Sequence, residues 1–263
     1  MNMQRIAQCI NTLGAFLGRR DVAVLEPKAL EEKFGILKAD VMVLFGGSIL
    51  AGGEVLAQAI KDGAAERYII VGGEGHTTQS LRDRMQVEFP SIDTQGKSEA
   101  QVFAAYLETV HGLSVDALEC KSTNCGNNIT YLLDLMKEKD IACKTIILTQ
   151  DASMQLRMEA GLRKYAEDMR IINFAAYQAQ VVVRDGQLAF AQPIWGMWDM
   201  ERYISLLLGE IPRLSDDADG YGPNGKNFIA HVDIPENVRR AFGELSAHYA
   251  SLVREVNPIY ASK

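Results

Sequence analysis

The stretch DVMVLFGGSILAGGEVLAQAIKDGAAERYIIVGG, residues 40–73, decides the reading of the fold. Two short apolar runs rich in β-branched residues, VMVLF and YIIV, each end in Gly-Gly. Between them GEVLAQAIKDG places apolar side chains at three- and four-residue steps and stops at a glycine. Continuous apolar runs of strand length are buried on both faces, as in parallel sheets, whereas the intervening period is that of a helix. The unit therefore reads strand, helix, strand.

The same alternation continues along the chain. KTIILTQD (144–151) and MRIINFAA (169–176) are further strands, and ALEC (117–120) is a shorter fifth. SEAQVFAAYLETVHG (98–112), NNITYLLDLMKEKD (127–140) and SMQLRMEAGLRKYAED (153–168) carry the helical period with natural stops. Strands alternating with helices predict an α/β fold built on an open, doubly wound, mostly parallel sheet with helices on both faces. QVVVRDGQLAF (180–190) predicts a small hairpin turning at Asp185-Gly186.

The ends differ. Residues 1–38 read as helical without a strand, and WGMWDMERYISLLLGE (195–210) and PENVRRAFGELSAHYASLVREV (235–256) are helical patterns after the last sheet signal. The expected organisation is an α/β ligand-binding domain at 39–190 and a smaller, mostly helical companion domain built from both termini, 1–38 and 191–263.

With 263 residues, 48% of them hydrophobic, the chain buries a sizeable core. A net charge of −7 with interspersed signs offers no basic surface for a nucleic-acid backbone, so no nucleic-acid partner is expected. The four cysteines form no C-x-x-C pair and read as reduced thiols. The first twenty residues, broken by Gln8, Asn11 and Thr12, resemble an amphipathic helix more than a secretory signal. The longest weakly polar run, VMVLFGGSILAGG, falls short of the roughly 20 residues of a membrane span. A cytoplasmic protein with no membrane partner is expected.

Open α/β sheets bind ligands beyond the carboxyl ends of their strands, at the crevice where strand order reverses. Gly46, Gly47 and Ser48 follow the first strand, and Gly72, Gly73, Glu74, Gly75 and His76 follow the second. Glycines there let a ligand approach backbone amides, although Gly-Gly is also ordinary turn chemistry. Neither turn is a G-x-G-x-x-G fingerprint, and no P-loop motif occurs. Glu74 is placed to accept from ribose hydroxyls or is a solvated loop acid; His76 is an acid/base candidate or a helix cap. KSTNCGNN (121–128) sets Ser122, Asn124 and Asn127 before a helix, more hydrogen-bonding groups than one cap needs. Cys125 lies among them and reads as packing rather than a nucleophile. Gln150, Asp151 and Ser153 follow the next strand, with Arg157 one helical turn beyond.

SDDADGYGPNGKNF (215–228) resembles a calcium loop up to a point. With Gly220 as the sixth residue, Ser215, Asp217 and Asp219 take the first, third and fifth ligand positions, but Lys226 stands where the closing bidentate Glu belongs. No metal ligand is therefore assigned, and the stretch reads as an irregular loop of turn formers.

FGGSI, VGGEGH, GKSEA, STNCGNN, TQDASMQLR and the tail from Trp195 to Asp233 resemble the SanA/ElyC/YdcF family of bacterial proteins over about residues 40–235, the tail pointing to its YdcF-like branch. The resemblance implies a Rossmann-like domain with a helical companion and a nucleotide-type ligand, with S-adenosylmethionine or another adenosine-containing compound as the cofactor. Glu99 matches an acidic position of the family, and the acidic tail loop is expected near the ligand mouth. The family's His-Met step after the fourth strand is Ser153-Met154 in this chain, so no catalytic histidine is carried over. The expected function is binding of a nucleotide-like small molecule, with an unassigned transferase activity; the alternatives are a metal-assisted hydrolase or phosphoryl-transfer enzyme and a ligand-responsive interaction protein.

Overall fold

In the computed structural model, which describes residues 1–47, 49–75 and 77–252, five strands form one parallel sheet in the order β3-β2-β1-β4-β5. They are β1 (Ala39–Phe45), β2 (Ala65–Val71), β3 (Ala117–Glu119), β4 (Thr145–Thr149) and β5 (Arg170–Asn173). Every neighbouring pair is parallel, with Val43 opposite Ile69 on one side and Leu148 on the other. The result is a Rossmann-like α/β arrangement.

The strands are apolar throughout because both faces are covered. Met42 and Leu44 of β1 pack with Ile70 and Ile147 against helices α3 (Ala51–Asp62), α4 (Thr78–Glu88) and α5 (Glu99–Tyr106). Val41, Val43 and Phe45, pointing the other way, meet α6 (Cys125–Glu138) and α7 (Gln155–Tyr165) through Ile129, Leu132, Met158 and Leu162. This is the two-residue alternation of a strand with apolar partners on either side. α4 was not anticipated: its segment TQSLRDRMQVE has a strongly polar composition and only Leu81 and Met85 as buried apolar anchors. The helix of α5 passes into a π-helical turn at Leu107–His111.

Two further helices precede the sheet, α1 (Met3–Leu17) and α2 (Pro27–Phe34), and two follow it, α8 (Met200–Leu214) and α9 (Glu236–His248). α1 packs on α8 and α9, and Ile10, Leu13, Tyr203, Leu207 and Leu245 join one apolar cluster. That cluster also takes in Leu156 and Ala160, so the terminal helices share a core with α7, whose Met158 and Leu162 face the sheet. β6 (Val181–Arg184) and β7 (Gln187–Phe190) form the expected antiparallel hairpin. Asp185 and Gly186 both have positive φ, 51° and 75°, the backbone that a two-residue hairpin turn requires. Among the described residues no helix is long and apolar enough to cross a membrane.

Candidate functional site

β1 lies between β2 and β4, so the chain leaving β1 runs to one side and the chain entering β4 comes from the other. A cleft of about 270 Å³ opens beyond the carboxyl ends of these strands, at the switch point where such folds bind ligands. One wall is the strand-end turns, with Gly46, Gly47, Gly73, Gly75, Glu99, Ser122, Asn124, Gln150, Asp151 and Ser153. The other is α7, α8 and the loop after α8, with Met154, Arg157, Met158, Tyr165, Trp198, Arg202, Tyr221 and Phe228. A polar floor facing an apolar, aromatic wall is the usual make-up of a small-molecule site.

The glycines divide into two groups. A Cβ on Gly46 would lie 2.7 Å from Glu99 Cβ, one on Gly72 2.9 Å from the same atom, and one on Gly73 2.2 Å from the Ser122 carbonyl oxygen. These three are small because the first turn of α5 and the β3 loop press on them. At Gly47 and Gly75 the nearest atoms would be 3.7 and 3.6 Å away, which leaves room on the cleft side.

Glu99 is the first residue of α5, held by a capping box between Ser98 and Gln101. Its amide donates to Gly73 O at 3.0 Å, and the next amide, Ala100, to Gly72 O at 2.8 Å, which locks the helix start against the β2 turn. Its Oε1 accepts from Thr77 and Thr78 hydroxyls at 3.1 and 2.9 Å. Burial pushes the carboxyl pKa above its ordinary value, against the opposing pull of those hydroxyls and of Arg82.

At the end of β4, Gln150 Oε1 accepts from the Asp151 amide at 2.6 Å, and Gln150 Nε2 is buried without a partner among the described residues. Asp151 Oδ1 accepts from Ser153 N, Ser153 Oγ and Tyr177 Oη at 2.7–2.8 Å, and Oδ2 from Trp198 Nε1 at 3.3 Å. Burial and the neighbouring Asp151 charge push the Tyr177 hydroxyl well above its ordinary pKa, so it stays a donor. Trp198 is flanked by the guanidinium groups of Arg84 and Arg202, 4.9 and 5.5 Å from its ring. Arg157 is turned to α8, where Glu210 takes both arms of its guanidinium.

The expected wall of neutral polar groups is mostly spent on the protein itself. Ser122 Oγ accepts from the Gly73 amide; Asn124 caps α6 by accepting from Asn127 N at 2.9 Å; Asn127 Oδ1 receives Asn124 Nδ2 and Thr123 Oγ1. Asn127 does not line the cleft, and its neighbour Asn128 does. Gly72 and Glu74 also lie outside the lining. Glu74 is 62% exposed and paired with Arg82 at 2.5 Å. Ser48 and His76 lie outside the described residues.

The loop after α8 reaches the cleft through rings, Tyr221 and Phe228, rather than through its acids. Asp216 is occupied by Asn224 and His231, and Asp217 Oδ1 by the Asp219 and Gly220 amides, so these carboxylates hold the turns of the loop together. Lys226 sits 5.4 Å over the Tyr221 ring. Among the described residues no group of three or more His, Cys, Asp or Glu side chains is arranged to hold a metal ion. The aromatic wall of Tyr165, Trp198, Tyr221 and Phe228 was missed from sequence because apolar periodicity places a ring on a face without saying whether that face meets a core or a cleft. No family model matches the chain.

Proposed function

We propose that the cleft binds a nucleotide-like small molecule, with an adenosine-containing compound such as S-adenosylmethionine as the candidate ligand and an unassigned transfer reaction as the candidate activity. The observation that carries the reading is the position of the cleft at the β1/β4 switch point, lined by glycine turns, by an aromatic wall and by Gln150, whose buried Nε2 has no partner among the described residues. An orphaned buried donor costs about 1 to 3 kcal/mol in the empty protein, a cost that a ligand acceptor removes. Aromatic and methionine side chains at Met154, Met158, Tyr165 and Phe228 supply apolar surface for a base or thioether. The ligand's chemistry comes from the resemblance to the SanA/ElyC/YdcF family, whose motifs occupy this floor.

A thermal-shift panel of adenosine compounds tests the reading. A ligand at a hundredfold excess over its dissociation constant stabilises the native state by about 2.7 kcal/mol. Trp198 lines the cleft while Trp195 packs on Phe89 and Tyr106, so a Trp195→Phe chain reports binding through Trp198 emission alone. Neither a shift nor an emission change with any compound would remove the nucleotide reading.

One observation favours a second reading: Glu99 is a buried carboxyl at the cleft floor whose pKa burial raises, the setting of a group that takes part in proton transfer. Turnover of simple phosphoesters with added magnesium or manganese, lost in Glu99→Gln, would support the hydrolase or phosphoryl-transfer alternative.

A further inference from the structure

The hydrogen-bonding groups of the cleft fall into those already satisfied within the chain and those left over. The acids are engaged: Glu210 holds Arg157, Asp151 accepts from Ser153, Tyr177 and Trp198, and Glu99 accepts from Thr77 and Thr78. What remains open is largely donor. Asn124 caps α6 at Asn127 N, yet among the described residues no acceptor is bonded to the amides of Cys125 and Gly126, the first two helical residues, and both line the cleft. At two other helix starts along the sheet the corresponding amides are taken: Ala51 N of α3 donates to Trp195 O, and Glu99 N and Ala100 N of α5 donate to the β2 turn. Gln150 adds an independent donor. Its side-chain oxygen is committed to the Asp151 amide, which fixes the flip and leaves Nε2, in a residue 1% exposed, as the end without a partner.

We infer that the cleft contains an anion subsite: the bound molecule carries a phosphate or carboxylate group received by the open amides of Cys125 and Gly126, and Gln150 Nε2 donates to a further acceptor atom of the same molecule. Open amides at a helix start, backed by the helix dipole, favour such groups. The inference rests on the nucleotide-like reading of this cleft and narrows it to members that carry a phosphate or carboxylate group; a nucleoside without one leaves the subsite unused.

The test uses a backbone deletion. Asn124 is extended, with φ −157° and ψ 169°, the conformation that a residue before proline prefers, and proline is accepted at the first helical position. Cys125→Pro therefore deletes one donor and keeps α6, while Cys125→Ala removes the thiol and keeps the donor. Gln150→Glu preserves the acceptor for the Asp151 amide and replaces Nε2 with an oxygen. Titration calorimetry is run with adenosine, AMP and adenosine-5′-carboxylic acid on all four chains, with folding checked by circular dichroism. The expected result is that AMP or adenosine-5′-carboxylic acid binds at least about tenfold more tightly than adenosine, the first pattern marking a phosphate and the second a carboxylate. For the anionic compound Gln150→Glu loses about tenfold relative to the parent chain, and Cys125→Pro about tenfold relative to Cys125→Ala, the chain that lacks the thiol and keeps the amide.

Equal affinity for charged and neutral compounds would overturn the subsite, as would a folded Cys125→Pro chain that matches Cys125→Ala in affinity. Should Cys125→Pro not fold, the charged-to-neutral ratio and Gln150→Glu decide the matter by the same criteria. Should no adenosine compound bind, the nucleoside reading fails and pyrophosphate is titrated instead. Pyrophosphate binding that Gln150→Glu or Cys125→Pro weakens upholds the subsite, and its absence overturns it.

Discussion

Arg157 and Glu210 face each other across α7 and α8 as a two-bonded ion pair, Nε to Oε2 at 2.6 Å and the second nitrogen to Oε1 at 3.0 Å, with side chains only 13% and 4% exposed. Removing one partner of such a pair strands a buried charge and costs about 3 to 5 kcal/mol. Arg213 also lies 3.5 Å from Glu210, so Arg157→Ala leaves the carboxylate with a cation, whereas Glu210→Ala leaves two arginines together. Urea denaturation is expected to show Glu210→Ala as the more damaging change, and Arg157→Met with Glu210→Leu as milder than either alanine variant. Unchanged midpoints in both single variants would mean that the pair does not hold α8 to the sheet layer.

The strand-end glycines are expected to separate by role. Gly73→Ala drives a Cβ to 2.2 Å from a backbone oxygen, and overpacking of this kind costs typically about 1 to 3 kcal/mol or more. Gly75→Ala meets nothing closer than 3.6 Å and is expected to keep the parent melting temperature. A Gly73→Ala chain as stable as the parent would show that the β3 loop shifts easily.

Glu99 gives the stability curve a definite slope. Burial raises its pKa above the ordinary 4.5, so from that value up to the raised one the native chain binds more protons than the unfolded chain. Stability from this group is full below the ordinary value and declines as pH rises through the window. Glu99→Gln keeps an oxygen for Thr77 and Thr78 and removes the ionisation. Calorimetric scans at about pH 5 and pH 7 are expected to show a smaller decline in the variant and a higher melting temperature at neutral pH; parallel curves would refute the assignment.

His231 works with the opposite sign of charge. Asp216 Oδ2 lies 2.6 Å from Nδ1 and Asp233 Oδ1 3.1 Å from Nε2, and these bonds raise the imidazole pKa above 6.5. The stabilisation of the loop is therefore full below the ordinary value and lost as pH rises through the raised one. With His231 and Asp233 exposed, the cluster is also expected to weaken with salt. An NMR titration should place the His231 midpoint above that of a free imidazole at low salt and bring it down in Asp216→Asn. An ordinary midpoint in the parent chain would contradict the contacts.

How much of this was legible in the sequence varies with the range of the interaction involved. The sheet, the helices that alternate with it and the hairpin at Asp185-Gly186 were readable because periodicity, glycine stops and turn chemistry are local properties of the chain. The placement of Gly47, Gln150, Asp151 and Ser153 at a cleft followed from one rule about strand ends. Other roles depended on which group meets which across the fold. Gly46, Gly72 and Gly73 proved to be spacers for Glu99 and Ser122, residues 27 to 53 positions away in sequence. Glu74 pairs with Arg82 outside the cleft lining, and the apparent surplus of polar groups at 122–127 was consumed in a cap and its brace. The chain alone determined which groups stand at the strand ends. Which of them stay unpaired, and so free to meet a ligand, was decided only by the tertiary structure, because hydrogen-bonding capacity is spent on whatever neighbour packing brings within about 3 Å.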